Sequence, residues 1–277
     1  MLCLPCGYAP SRGWAEPGRT ARLHLQTEAY RAMTVRQAAN TLQILEYFAE
    51  RLRPATAAEL AEDLGWPRSS TFKLIGTLAD LGYLYEPQAR NGYYPSPKWF
   101  DLAEKVTRAN PLPAELHRLV FEIARTTGET TLIAAPAGEY AIFLDVQEST
   151  HAVRYFTSIG DRVPIYASSA GRALLAQMPT DERRRLYQKT TFQTFSNTTP
   201  ATEETVEQEI MAAEQRGFHQ SNAEYTPDLA GVALPLPYQG RRLSIVVVGP
   251  VSRCLERRPD IAKIIKDHLQ HMGVDAG

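Results

Sequence analysis

The chain has 277 residues and a formal net charge of −1, with 44 % apolar and 22 % charged residues. That length gives room for two domains with real cores, and the composition excludes a disordered or collagen-like chain. No apolar run approaches the ~20 residues of a membrane span. With so little net charge, any binding of nucleic acid must rest on local basic residues.

Residues 1–32 are rich in Pro, Gly and Arg and show no clear periodicity until Leu23. They read as a flexible arm or a start-site extension, whose Arg12, Arg19, Arg22 and Arg31 would add nonspecific attraction to DNA. No uninterrupted apolar region there fits a signal peptide. The three cysteines are Cys3, Cys6 and Cys254. An odd, sparse count fits a reducing cytoplasm and argues against a disulfide framework. Cys3 and Cys6 have metal-ligand spacing but no second pair nearby, so no metal site is assigned.

Thr34 is placed as the cap of a helix over 34–52, with Val35, Ala38, Leu42, Leu45 and Ala49 at helical spacing. Arg36, near its start, is a candidate phosphate contact; a solvated arginine fits equally well. In the stretch 56–82, Thr56 and Glu59 have capping-box spacing, Ala57, Leu60, Ala61 and Leu64 form an apolar side, and Gly65 ends the first helix. Pro67 opens a second helix. Phe72, Ile75, Leu78, Ala79 and Leu81 are expected as its buried stripe, and Gly82 ends it. Arg68, Ser69, Ser70, Thr71 and Lys73 bring a cation, hydroxyls and free N–H groups to the helix start. Such groups suit phosphates and base edges in a major groove, although Ser and Thr are also ordinary caps.

Residues 83–95 then read as strand, turn and strand around Asn91-Gly92. A helix-turn-helix followed by a hairpin is a winged helix-turn-helix, with Arg90 at the wing tip as a further candidate contact. From Trp66 to Lys98 four basic residues stand against two acidic ones. A helix is expected over 97–108, with Trp99, Leu102, Ala103 and Val106 as an apolar stripe open to a partner chain. Asn110-Pro111-Leu112-Pro113 breaks it. The organisation expected is a 1–32 extension, a 33–96 DNA-binding domain, a 97–112 linker helix and a 113–277 second domain.

Beyond the linker, helix is expected over 114–127, 170–177, 180–187, 202–216 and 259–272. Strands are expected over 130–135, 140–147, 153–157, 163–166, 218–220, 232–236 and 243–248. Consecutive strands on short turns point to an antiparallel or mixed sheet and an α+β fold class. No GxSxG, P-loop or GxGxxG occurs, and no histidine set has zinc spacing with carboxylates; His268 and His271 read as surface residues. No enzyme activity, cofactor or metal is assigned. The alternative to a ligand-responsive regulator is a metabolite-binding module or an enzyme whose helical N-terminus only dimerises.

Three stretches together carry a resemblance. One is Leu64-Gly65-Trp66-Pro67-Arg68-Ser69-Ser70-Thr71 with Thr77-Leu78-Ala79-Asp80-Leu81-Gly82-Tyr83-Leu84. Another is Gly160-Asp161-Arg162-Val163-Pro164-Ile165-Tyr166-Ala167-Ser168-Ser169-Ala170-Gly171-Arg172-Ala173-Leu174-Leu175-Ala176. The third runs through Arg216-Gly217-Phe218, Gly231-Val232-Ala233-Leu234-Pro235-Leu236 and Val248-Gly249-Pro250-Val251-Ser252-Arg253. In order and spacing these resemble the IclR family of bacterial transcriptional regulators from Thr34 onward. The resemblance implies a winged helix-turn-helix, a linker helix and an effector domain similar to GAF and PAS folds. It also implies dimers or dimers of dimers on palindromic double-stranded DNA, and a small effector, often an organic or aromatic acid. The operon controlled would be metabolic and catabolic, an aromatic-compound operon being one candidate.

The effector positions implied by the resemblance are Ser168, Ser169, Ala170 and Gly171 at a helix start, Glu224 in a loop, Val232 and Leu234 on one strand, and Val246 and Val248 on the next. Phe143 and Tyr155, with Phe156 and Tyr166, are candidates for an aromatic wall. Where some family members carry hydroxyl or thiol side chains, this chain has Leu234, Val246 and Val248. Either the pocket is apolar and takes a larger ligand, or these residues are core.

Overall fold

The computed structural model describes residues 35–89, 91–109 and 112–273. The readings placed on residues 1–34 and on Arg90 lie outside it. The chain divides into two compact units, Met1–Pro111 and Leu112–Gly277.

In the first unit, α1 (Arg36–Arg51), α2 (Ala57–Asp63) and α3 (Arg68–Asp80) are followed by β1 (Leu84–Tyr85) and β2 (Tyr94–Pro95). The strands pair antiparallel, and Tyr93 bridges back to Ala55. The wing therefore closes on the chain just ahead of α2. Gly92 permits this: its φ is +90°, and a Cβ there would lie 2.4 Å from the Ala55 carbonyl carbon. The expected capping box is present: the Glu59 N–H donates to Thr56 Oγ1 at 3.2 Å, and the Thr56 N–H donates to Glu59 Oε2 at 2.8 Å. The Thr56 N–H, the Thr56 hydroxyl and Arg51, all donating to it, hold the Glu59 carboxyl down at about 2. Ile44, Phe48, Leu60, Ile75, Leu78 and Leu84 form the core.

The expected stripe of α3 is corrected here. Phe72 is 58 % exposed and Leu81 is also exposed, while Thr71 is buried at 1 %. The inward row is Thr71, Ile75 and Leu78, which are four and three residues apart. Leu42 of α1 is likewise exposed.

Helix α4 (Lys98–Ala109) buries none of its residues, and Phe100, Leu102 and Val106 are exposed. Its root is fastened: Trp99 Nε1 donates to Tyr83 O at 2.9 Å, and Lys98 Nζ donates to Leu81 O at 2.7 Å and lies 4.3 Å from the Tyr83 ring centre.

The second unit is a six-stranded antiparallel sheet of β3 (Thr130–Ala137), β4 (Tyr140–Gln147), β5 (Arg162–Pro164), β6 (His219–Asn222), β7 (Leu229–Tyr238) and β8 (Arg241–Pro250), in the order β5-β4-β3-β8-β7-β6. Helices α5 (Ala114–Thr127) and α10 (Arg258–His271) cover one face; α6 (Ser169–Leu175) and α8 (Glu203–Arg216) cover the other. Two short helices, α7 (Thr180–Tyr187) and α9 (Val251–Cys254), complete the unit. Strand alternation assigns the faces. Val232, Leu234, Ile245 and Val247 join the α5/α10 core, whereas Ala233 and Val246 join the α6/α8 core. Residues 153–157 form no strand. Side chains take up their carbonyls instead: Arg253 Nη2 donates to Val153 O at 2.9 Å and Thr130 Oγ1 to Tyr155 O at 2.8 Å. Among the described residues no helix is long and apolar enough to cross a membrane, and no cluster of ligating side chains could hold a metal.

Candidate DNA interface and ligand cleft

Helix α3 presents Arg68, Ser69, Ser70, Phe72 and Lys73 to solvent. Ser70 Oγ donates to Pro67 O at 2.9 Å, and Thr71 Oγ1 does the same at 3.0 Å. Thr71 is thereby withdrawn from the set of base-reading candidates, because its side chain is buried and its hydroxyl is occupied in the helix's own first turn. Phe72 enters the exposed face in its place. The signal was available in the sequence: once Thr71, Ile75 and Leu78 define the buried row, the residue after Thr71 must face outward. Arg36, at the start of α1, is exposed as expected.

In the second unit a cleft opens between the start of α6 and the sheet, with about 470 Å³ of free space including its mouth. Phe143, Tyr155, Ser168, Ser169, Ala170, Glu224, Val246 and Val248 all line it, so eight of the eleven expected positions converge from five segments of chain. Three do not. Val232 and Leu234 point to the opposite face and are core beneath α5 and α10. Gly171 is a packing glycine: a Cβ there would lie 1.9 Å from Ile165 O, and its N–H donates to Ser168 Oγ at 3.1 Å. Ser168 is the cap of α6. The aromatic wall is Phe143, Tyr155 and Tyr225. Tyr166 is buried, accepting from the Gln193 N–H at 2.6 Å and donating to Gln193 O at 3.0 Å, while Phe156 is exposed and outside the cleft.

Sequence reasoning missed Arg172. It is 1 % exposed and donates through Nη1 to Tyr166 O at 2.9 Å and through Nη2 to Gln220 O. Its Nη1 also stands 2.7 Å from Glu224 Oε2. One guanidinium thus joins the approach to α6, the edge strand β6 and the loop after it. Burial pushes the Glu224 carboxyl up and Arg172 opposes that shift. Burial, with Arg172 and Arg216 adding, pushes the nearby His219 imidazole down to about 3, so it is neutral.

A family model for the IclR helix-turn-helix domain matches residues 37–87, and one for the bacterial transcriptional regulator IclR C-terminal domain matches residues 104–272. The chain belongs to the IclR family of bacterial transcriptional regulators. Family members are DNA-binding regulators, not enzymes. The transcriptional repressor IclR of Escherichia coli is 24 % identical over 221 residues, covering 78 % of this chain and 81 % of that protein. The crystal structure of the Thermotoga maritima IclR superposes with a TM-score of 0.69 at 17 % identity, covering 86 % of this chain and 98 % of that one. An IclR homologue from Microbacterium hydrocarbonoxydans, crystallised with 4-hydroxybenzoate, superposes with a TM-score of 0.59 at 19 % identity, covering 85 % and 99 %. Both structures share the α+β fold.

Proposed function

We propose that this IclR-family protein is a ligand-responsive regulator of a metabolic operon in the cytoplasm, with a catabolic, aromatic-compound pathway favoured. Its DNA-binding domain spans residues 33–96, its linker 97–112 and its effector domain 113–277. Two copies of α3 enter successive major grooves of a palindromic operator, roughly 34 Å apart. Lys73 and Arg36, with Arg90 from the wing, set the register on phosphates; Arg68, Ser69 and Ser70 reach base edges. The exposed stripe of α4 pairs copies into a dimer, or a dimer of dimers. A small organic or aromatic acid in the cleft beneath α6 shifts operator affinity by binding two poses of the DNA-binding domains unequally.

The observation that carries this reading is the joint presence of an exposed basic, hydroxyl-rich face on α3 and an apolar, aromatic-lined cleft in the other unit. Operator binding by purified protein is expected to weaken steeply with salt, by a log–log slope of about −0.9 per phosphate engaged. Lys73→Ala should reduce that slope by about one. A flat salt response, or an unchanged slope in Lys73→Ala, would sink the assignment of α3 as the phosphate-anchored element.

A further inference from the structure

One corner of the cleft holds polar groups whose arrangement constrains the ligand. Glu224 lines the cleft and is 8 % exposed. Its Oε2 is sealed from solvent and lacks an aligned hydrogen bond, although Arg172 Nη1 is 2.7 Å away. Arg172 and the Asn222 N–H both favour the ionised form of this carboxylate, which has about four acceptor sites. Beside it, Ser221 Oγ lies 3.4 Å from Ser169 Oγ, and both serines line the cleft. Gly231 keeps that corner open: a Cβ there would stand 2.6 Å from one hydroxyl and 2.8 Å from the other. Among the described residues no Lys, Arg or His lines the cleft; Arg172 sits behind Glu224 with its N–H groups on the carbonyls of Tyr166 and Gln220. The remaining wall is mostly apolar, with Leu132, Val246 and Val248, and includes Ser168 and Thr226.

We propose that this corner recognises a hydroxyl group on the effector, with Glu224 accepting its hydrogen bond. The cleft then selects hydroxylated aromatic compounds over counterparts that present a bare ring edge or a carboxylate there. This rests on the cleft being the effector site. A carboxylate at the corner would set acceptor against acceptor, and Arg172 is already engaged by Glu224 and by the Tyr166 and Gln220 carbonyls. A ligand without a donor would cover Glu224 and leave its acceptor capacity unfilled. A site built around a hydroxyl rejects the analogue lacking it far better than an apolar slot rejects an extra methylene. An acid bound here puts its hydroxyl inward and its carboxylate toward the open mouth. Arg172 acts as a positioning residue: it fixes Glu224 and cancels its charge without touching ligand.

The test is calorimetric titration of the full chain with 4-hydroxybenzoate, phenol, benzoate and 4-methoxybenzoate at one pH and salt. The two hydroxylated probes are expected to bind at least ~10-fold tighter than the other two. Glu224→Gln would leave Arg172 without its counter-charge and is expected to fold poorly. The comparison among probes on the unaltered chain therefore carries the test. Glu224→Asp keeps the charge but withdraws it by one methylene, and should bring the 4-hydroxybenzoate-to-benzoate ratio toward one. Benzoate binding as tightly as 4-hydroxybenzoate, with both lost in the cleft-filling Val248→Trp, would overturn the hydroxyl assignment alone. Binding of 4-hydroxybenzoate that survives Val248→Trp would overturn the cleft itself. Absence of saturable binding by either hydroxylated probe up to ~1 mM would also overturn the proposal.

Discussion

Gly171→Ala sets two effects of opposite sign against each other. Gly171 lies inside α6, where alanine is intrinsically favoured by about 0.8–1 kcal/mol. The added Cβ, however, would stand 1.9 Å from Ile165 O and 2.5 Å from the Ile165 carbonyl carbon. Ordinary contact begins near 3.4 Å, so two stretches of backbone must part by about 1.5 Å. Ile165 is fully buried and its N–H donates to Glu139 O at 3.0 Å, so it has little freedom to retreat. Overpacking costs about 1–3 kcal/mol, and here the upper end applies because both parties are main chain. The net expectation is a loss of about 2 kcal/mol, or about 1 M in urea midpoint for the 112–277 unit. Circular dichroism is the probe of choice, because the three tryptophans, Trp14, Trp66 and Trp99, all precede that unit. A midpoint equal to or above that of the unaltered chain would refute the close-approach account and leave helix propensity as the larger effect.

Thr56→Ala should cost about 1 kcal/mol by removing the α2 cap, read as a lower urea midpoint of the first unit. Glu59 titrates near 2 in the fold and near 4.5 otherwise, so its stabilisation is full above about 4.5 and is lost as pH falls toward 2. Thr56→Ala keeps the N–H bond to Glu59 but loses the hydroxyl bond, so it should flatten that acid limb in part; an unchanged limb would mean that the Thr56 hydroxyl does not hold the carboxylate. Phe72→Ala should weaken operator binding by about 1–3 kcal/mol if its ring meets a thymine methyl in the major groove. Replacing operator thymines by deoxyuridine should then weaken the unaltered protein at one position and Phe72→Ala at none. A uniform response to every replacement would remove Phe72 from base reading.

How far the sequence reveals the cleft is decided by register. Val232, Leu234, Val246 and Val248 are evenly spaced on their own strands, and either pair could face either way. Pairing decides it: Val232 stands opposite Val247, not Val246 or Val248. An offset of one residue between neighbouring strands sends otherwise equivalent valines to opposite faces. That offset is a property of the assembled sheet, so alternation along one strand cannot supply it. Arg172 was hidden for a related reason, since its partners Gln220 and Glu224 lie 48 and 52 residues further along. The DNA-binding unit was more legible because its signals are local: the box of Thr56 and Glu59, the Gly65-Trp66-Pro67 turn and the Asn91-Gly92 wing each span a few residues. Where that reading failed, at Thr71 and Phe72, polarity had been weighed above helical phase.

Strand β8 separates two kinds of constraint along a single run of chain. Leu243, Ile245 and Val247 pack into the core beneath α5 and α10, whereas Val246 and Val248 wall the cleft. The two faces of the sheet are thus written on alternate letters of the same strand. A library that varies 248 while holding 243, 245, 246 and 247 fixed would change the cleft wall and leave both cores as they are. The same partition lets the cleft wall at 248 diverge without disturbing the residues that hold the sheet to α5 and α10.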